Sequence, residues 1–287
     1  MLDELLVLAR SVGWGAADVL RRYYRGEFDL DIQKAHSDPV TAADLAANQY
    51  ILDRLQGALG NDQFGYLSEE TFQPGVTPYP QPYVWIIDPL DGTRDFIQKT
   101  GEYAVHIALT QAGRPVLSVV VWPEQDILYY ATVGGGTYAE HRNGEVRRLK
   151  VKECSRPEDM RLVISRSHRD ERFDALLKRL PQTEQTFVGS VGCKVATILE
   201  HRAELYLSLT TKSAPKDWDL AAPELILTEA GGRLTHFDLT PLEYNRADVA
   251  QWGGFLASSG QNHDELCQLI AQIVEELDSD PAAKQIH

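Results

Sequence analysis

Leu2, Leu5, Leu6, Ala9, Ala16, Leu20 and Tyr23 recur at helical spacing and predict an amphipathic helix over residues 2–24. A second helix has a sharper start. Pro39 keeps the residue before it out of helical backbone and Thr41 is placed to cap. Leu45, Leu52, Leu55 and Leu59 then line one face until Gly60-Asn61-Asp62 ends the run. From residue 83 the period becomes that of strands. Runs at 83–87, 103–110, 115–122, 127–132, 137–141 and 146–151 follow, with Asn143-Gly144 a hairpin turn before the last. Beyond Pro157 the pattern alternates. Strands at 161–165, 204–209, 233–237 and 255–258 are interleaved with helices at 170–180, 191–201, 218–230 and 263–277, and residues 278–287 are expected to fray. This order predicts an α+β half over residues 1–155 and an α/β half over residues 156–287.

The 287 residues suit one large domain or two ordinary ones, and a 43% apolar content is enough for a core. Twenty-eight basic against forty-two acidic side chains leave a net charge of −14. The resulting field repels nucleic-acid polymers and anionic membrane faces. A small anionic substrate stays possible where a metal or a local basic cluster reverses the field. No apolar run approaches the ~20 residues that span a bilayer. Asp3 and Glu4 stand where a secretory signal would be basic. Cys154, Cys193 and Cys267 are odd in number and widely spaced, as expected of free thiols in a reducing cytoplasm.

The chemistry concentrates in Trp85-Ile86-Ile87-Asp88-Pro89-Leu90-Asp91-Gly92-Thr93, where an apolar strand stops and two carboxylates appear three positions apart. Pro89 fixes its own φ, and Gly92 permits backbone angles other residues avoid. A strand end with a tight turn can aim Asp88, the Leu90 carbonyl and Asp91 at one point, an oxygen set suited to Mg²⁺. Alone, such a stretch is more often only a turn. Glu69-Glu70 upstream and Asp217 and Asp219 at a helix start downstream read separately as solvated or dipole-favoured acids.

Together, Asp38-Pro39-Val40-Thr41-Ala42-Ala43-Asp44, Ser68-Glu69-Glu70, Asp88-Pro89-Leu90-Asp91-Gly92-Thr93 and Trp218-Asp219 through Thr228-Glu229-Ala230-Gly231-Gly232 resemble the lithium-sensitive, magnesium-dependent phosphatases of the inositol monophosphatase superfamily. The blocks occur in family order and span residues 34–237. The resemblance implies a layered α-β-α-β-α sandwich, with an antiparallel sheet in the first half and a mixed sheet in the second. It implies two Mg²⁺ ions, one on Glu69, Asp88 and the Leu90 carbonyl, the other on Asp88, Asp91 and Asp219, with a third, weaker ion near Glu69. It also makes Asp44, Thr93 and Glu69 the catalytic candidates. Thr93 would hold the attacking water and Asp44 would orient Thr93, although Thr41 with an acid three residues later also forms a capping box. Gly92 and Thr93 would open a helix facing the substrate phosphate.

Substrate choice points to the 3'(2'),5'-bisphosphate nucleotidase branch. Gly189-Ser190-Val191-Gly192-Cys193-Lys194 resembles that branch's G-S-x-G-x-K pattern, which makes Ser190 and Lys194 phosphate ligands. Arg166 and His168 follow a predicted strand, where α/β ligands bind. Lys34 fits the nucleotidase spacing to Asp44, and Lys212 stands where inositol phosphatases place an acid. The expected reaction is Li⁺-sensitive removal of the 3'-phosphate of adenosine 3',5'-bisphosphate, and of 3'-phosphoadenylyl sulfate, by water. The alternatives are an inositol monophosphatase, a sugar-phosphate phosphatase such as fructose-1,6-bisphosphatase, and a non-catalytic binding module. The partner is a small phosphate ester, and the chain is a monomer or homodimer.

Overall fold

The computed structural model describes residues 1–35, 38–166, 170–182, 184–210 and 213–279. Numbered in chain order, its helices are α1 Leu2–Tyr24, α2 Ala42–Leu59, α3 Thr93–Ile97, α4 Glu171–Leu177, α5 Val191–Leu199, α6 Asp217–Glu229 and α7 His263–Ser279. Strands β1 Gln33–Ala35 and β2 Asp38–Val40 form a small antiparallel pair. A seven-stranded sheet runs in chain order through β3 Phe64–Ser68, β4 Tyr83–Asp91, β5 Ala104–Gln111, β6 Arg114–Trp122, β7 Ile127–Thr132, β8 Gly136–His141 and β9 Val146–Leu149. The remaining strands are β10 Leu162–Ser165, β11 Gln185–Val188, β12 Leu205–Ser208, β13 Arg233–His236 and β14 Phe255–Ser258, in the order β11-β10-β12-β14-β13.

Three apolar clusters stack these elements into five layers. Leu5, Ala9, Leu20, Ala47 and Ile51 of α1 and α2 pack on Trp85, Ile107 and Val119 of the first sheet. The sheet's other face meets α5 and α6 through Ala108, Val120, Ile198, Leu225 and Ile226, and the same cluster reaches Val163, Tyr206 and Phe255 of the second sheet. Leu176, Leu266 and Ile270 of α4 and α7 cover the outer face at Ile164, Leu207 and Leu256. The layer order α-β-α-β-α follows. β4, β5 and β6 are buried along nearly their whole length rather than at alternate positions, which suits a sheet covered on both sides by helices.

The first sheet is antiparallel except where β3 and β4 run parallel, so it is mixed rather than purely antiparallel. The second sheet is mixed: β10 is parallel to β11 and β12, while β14 is antiparallel to β12 and β13. Four strands were outside the periodicity reading. β1 and β2 are three residues each, β11 is an edge strand with an exposed Phe187, and β3 is buried at every position, so none of them shows alternation. Helix α7 extends to Ser279, two residues beyond its predicted end. Among the described residues, no helix is long and apolar enough to cross a membrane, and Cys154, Cys193 and Cys267 are free.

Candidate active site

Parallel pairing explains why distant acids meet. Ser68 of β3 stands opposite Ile87 of β4, so Glu69 and Asp88 emerge at the same edge of the sheet. The strand does not end at Asp88, as a tight turn would require. It continues to Asp91, with Asp88 opposite His106 and Asp91 opposite Ala104, so three steps on β4 match two on β5. Residues three apart on a regular strand face opposite sides, and the extra residue lets both carboxylates face one side. Helix α6 brings Asp219, whose Oδ2 accepts the Lys216 N–H at 2.6 Å. One oxygen of each of Asp88, Asp91 and Asp219 then lies within 4.8 Å of the others.

These donors are all hard oxygens, and they suit an ion of the Mg²⁺ class. Their electrostatics points the same way. Burial pushes the Asp88 carboxyl well above its usual range, and Glu69, Asp91 and Asp219 push it further, against the Leu90 N–H bonded at 3.0 Å. Glu69 is likewise raised by loss of water, then by Asp219, Glu70 and Asp44, and is eased by a hydrogen bond with Asp88. Glu70 is pushed up to about 7 by burial and Asp44. Such crowded carboxylates ionise together only when a cation offsets their repulsion.

Asp44 divides its two oxygens. Oδ2 accepts the Thr41 N–H at 2.8 Å and the Thr41 hydroxyl at 2.6 Å, completing the cap of α2. Oδ1 lies 3.0 Å from the Thr93 hydroxyl, whose oxygen is also 3.2 Å from the Leu90 carbonyl. The two readings of Asp44 therefore coexist geometrically. Gly92 precedes α3 at φ 91°, in the left-handed region. A Cβ there would lie 3.0 Å from the Glu102 carbonyl oxygen, so only glycine fits without strain.

Asp91 is held from behind. Its Oδ2 accepts the Ser190 hydroxyl at 2.5 Å and the Gly192 N–H at 3.1 Å, at the first turn of α5. The fully buried His106 places Nε2 3.2 Å from the same oxygen without hydrogen-bond alignment, and Nδ1 3.3 Å from the Trp218 carbonyl. Burial lowers the His106 pKa, against the pull of Asp91. Gly192 belongs to the G-S-x-G-x-K motif, whereas His106 was not among the residues singled out in the sequence. The available signal was a lone imidazole within the apolar run 103–110.

The sequence matches the inositol monophosphatase family over residues 1–275. The chain belongs to that family. It is 36% identical over 262 residues to a protein of Shigella flexneri named 3'(2'),5'-bisphosphate nucleotidase CysQ, covering 90% of this chain and 99% of the relative. A solved CysQ of Bacteroides thetaiotaomicron superposes with a TM-score of 0.72 at 26% identity, covering 89% of this chain and 97% of that one. An IMPase of Thermotoga maritima shares the fold with a TM-score of 0.78 at 24% identity, over 96% and 99%. The protein is thus a phosphatase of the inositol monophosphatase family, and its acidic cluster fits a metal-dependent member.

The remaining candidates in this phosphatase fall into three groups. Ser190 sits beside Asp91, as described. Lys194 is buried on α5, donates to the Gly189 carbonyl and places Nζ 5.0 Å from the Tyr206 ring centroid. Burial lowers its pKa, while Asp91, Cys193, Asp95 and Asp219 oppose that shift. Arg166 is engaged by Asp95 and Glu102. His168, Lys212 and the side chain of Lys34 lie outside the described residues.

Proposed function

We propose that this phosphatase removes the 3'-phosphate of adenosine 3',5'-bisphosphate, and accepts 3'-phosphoadenylyl sulfate, in a Mg²⁺-dependent and Li⁺-sensitive reaction. The observation that carries the chemistry is the convergence of Asp88, Asp91 and Asp219 oxygens within 4.8 Å. The choice of nucleotide is supported by 36% identity to a relative named a bisphosphate nucleotidase and by the Gly189–Lys194 motif.

Glu69, Asp88, the Leu90 carbonyl, Asp91 and Asp219 are the residues that would hold Mg²⁺. When bound, the ions offset the carboxylate charge that repels a phosphate dianion, and they lower the pKa of water for attack. The rest is done by the chain. Asp44 accepts the Thr93 hydroxyl proton, which turns the Thr93 oxygen lone pairs toward the attacking water and orients it for in-line displacement. The first turn of α3, at Gly92 and Thr93, offers backbone N–H groups to the phosphate oxygens. No step requires a phosphoenzyme.

A phosphate-release panel tests the reading. Adenosine 3',5'-bisphosphate, myo-inositol 1-phosphate and fructose 1,6-bisphosphate are compared with Mg²⁺, with and without Li⁺. The nucleotide is expected to have the highest kcat/KM, with inhibition at submillimolar to millimolar Li⁺. A preference for the inositol ester or the sugar bisphosphate would overturn the substrate, and absence of Mg²⁺-dependent release from any ester would overturn the activity.

A further inference from the structure

Arg166 follows β10 directly, yet its guanidinium reaches into the other half of the molecule. Nη1 pairs with Oδ1 of Asp95, Nη2 lies 2.7 Å from Oε2 of Glu102, and Nη2 also donates to the Phe187 carbonyl at 3.2 Å. Asp95 is buried on α3, two residues after Thr93, and its carboxylate accepts the Thr100 hydroxyl at 3.0 Å. Glu102 stands just before β5. Its carboxylate accepts the Gly189 N–H at 2.9 Å, and its carbonyl accepts the Ser190 N–H at 3.2 Å. Gly189 lies so close to Asp95 that a Cβ would fall 2.2 Å from that carboxylate. Ser190 then donates to Asp91.

These contacts form a closed circuit. Arg166 grips Glu102, Glu102 fixes Gly189 and Ser190, and Ser190 fixes Asp91. On its other arm Arg166 grips Asp95, which belongs to the helix that opens with Thr93. The planar fork of the guanidinium suits two carboxylates at once. Were it to leave for a substrate phosphate, the buried Asp95 carboxylate would lose its countercharge, which is strongly unfavourable.

We propose that Arg166 is a positioning residue that sets the Asp91 carboxylate, through Glu102 and Ser190, for binding Mg²⁺, and does not contact the substrate. The inference rests on the reading of Asp91 as a metal ligand and is independent of which phosphate ester is hydrolysed. Removing the guanidinium loosens the Gly189-Ser190 turn, so the effect falls on metal affinity. A substrate ligand lost at the same position would act on KM.

The test uses the full chain carrying Arg166→Ala, Arg166→Lys, Glu102→Gln and the double variant Arg166→Ala with Glu102→Gln. Calorimetric titration with Mg²⁺ alone reads metal binding without turnover. Steady-state kinetics at saturating Mg²⁺, on whichever ester the wild type hydrolyses, read KM. Arg166→Ala and Glu102→Gln are each expected to weaken Mg²⁺ binding about tenfold. The double variant is expected to stay within about twofold of either single one, as members of one network do. KM should move by less than about twofold, and Arg166→Lys, which reaches one carboxylate but cannot bridge two, should fall between. Wild-type Mg²⁺ affinity in both Arg166 variants would overturn the inference. So would a tenfold rise in KM with metal affinity unchanged, or additive losses in the double variant. Should Arg166→Ala not fold, Arg166→Lys and Glu102→Gln decide the matter. A wild type that binds no Mg²⁺ would instead sink the reading of the metal site itself.

Discussion

The Ser190 hydroxyl lies 2.5 Å from Oδ2 of Asp91, joining the N-cap of α5 to the end of β4. Ser190 is fully buried. That oxygen also accepts the Gly192 N–H, which fixes the plane of the carboxylate. The site is therefore assembled from both halves of the chain, and neither sheet alone could orient Asp91.

Charge removal at Asp219 should separate stability from activity. Asp219 adds to the repulsion that raises Glu69 and Asp88. Asp219→Asn keeps an oxygen for the Lys216 N–H while relieving that repulsion. In EDTA the variant is expected to melt no lower than the wild type, and added Mg²⁺ should stabilise it less. Phosphate release should fall by at least about a hundredfold, since loss of a ligand ought to exceed loss of a supporting contact. A lower Tm in EDTA with most activity retained would count against the metal site.

Thr41 and Thr93 bind different oxygens of Asp44, and their removal should have different consequences. Thr41→Ala deletes a helix cap and is expected to destabilise by ~1 kcal/mol, with kcat little changed below the melting range. Thr93→Ala should lower kcat with KM nearly constant, and Asp44→Asn should add little to that loss. Thermal melts and kinetics on the same preparations check both, and additive losses in kcat would break the proposed Thr93–Asp44 pair.

Gly192 has no room for a methyl group. A Cβ would sit 2.3 Å from Nε2 of His106 and 2.9 Å from Cγ1 of Val120. Gly192→Ala should cost about 1–3 kcal/mol by overpacking. It should also weaken Mg²⁺ binding, because both His106 and the Gly192 N–H touch Asp91. Denaturant midpoints and metal titration measure the two effects, and a variant unchanged in both would refute the packing argument.

His263 predicts an acid-side loss of stability. It is buried between Ser258 and Thr235, 2.7 Å and 2.9 Å from their hydroxyls, and burial lowers its pKa to about 4. Its folded pKa lies below the unfolded value of 6.5, so the unfolded chain binds the extra proton between them. Its contribution is present above pH 6.5 and is lost as pH falls toward 4. The slope is at most ~1.4 kcal/mol per pH unit for one proton. Denaturant unfolding of His263→Gln across that window should show a shallower pH dependence than the wild type, and an equal slope would remove His263 from the account.

The local pattern was enough for most elements. β7 and β14 match the periodicity reading residue for residue, and α1 does so from Leu2 to Tyr24. Inward side chains repeat at the strand or helix period wherever one face is buried. β11 escaped because its strand character comes from parallel pairing with β10 rather than from its own sequence. The short hairpin of β1 and β2 carries no run long enough to show a period.

In the site, the sequence determined which residue types are present: oxygen donors at 69, 88, 91 and 219, a threonine after Gly92, and an acid that can cap α2. Tertiary structure decided their relations. An extra residue on β4 turns Asp88 and Asp91 to one side. Arg166, read as a substrate ligand in the sequence, is held by Asp95 of α3 and by Glu102 just before β5, and His106 is brought against Asp91. A side chain's type is a local property of the chain, whereas what it faces depends on contacts such as that of Ser190 with Asp91, 99 residues apart. Those contacts exist only after the two sheets have closed over α5 and α6.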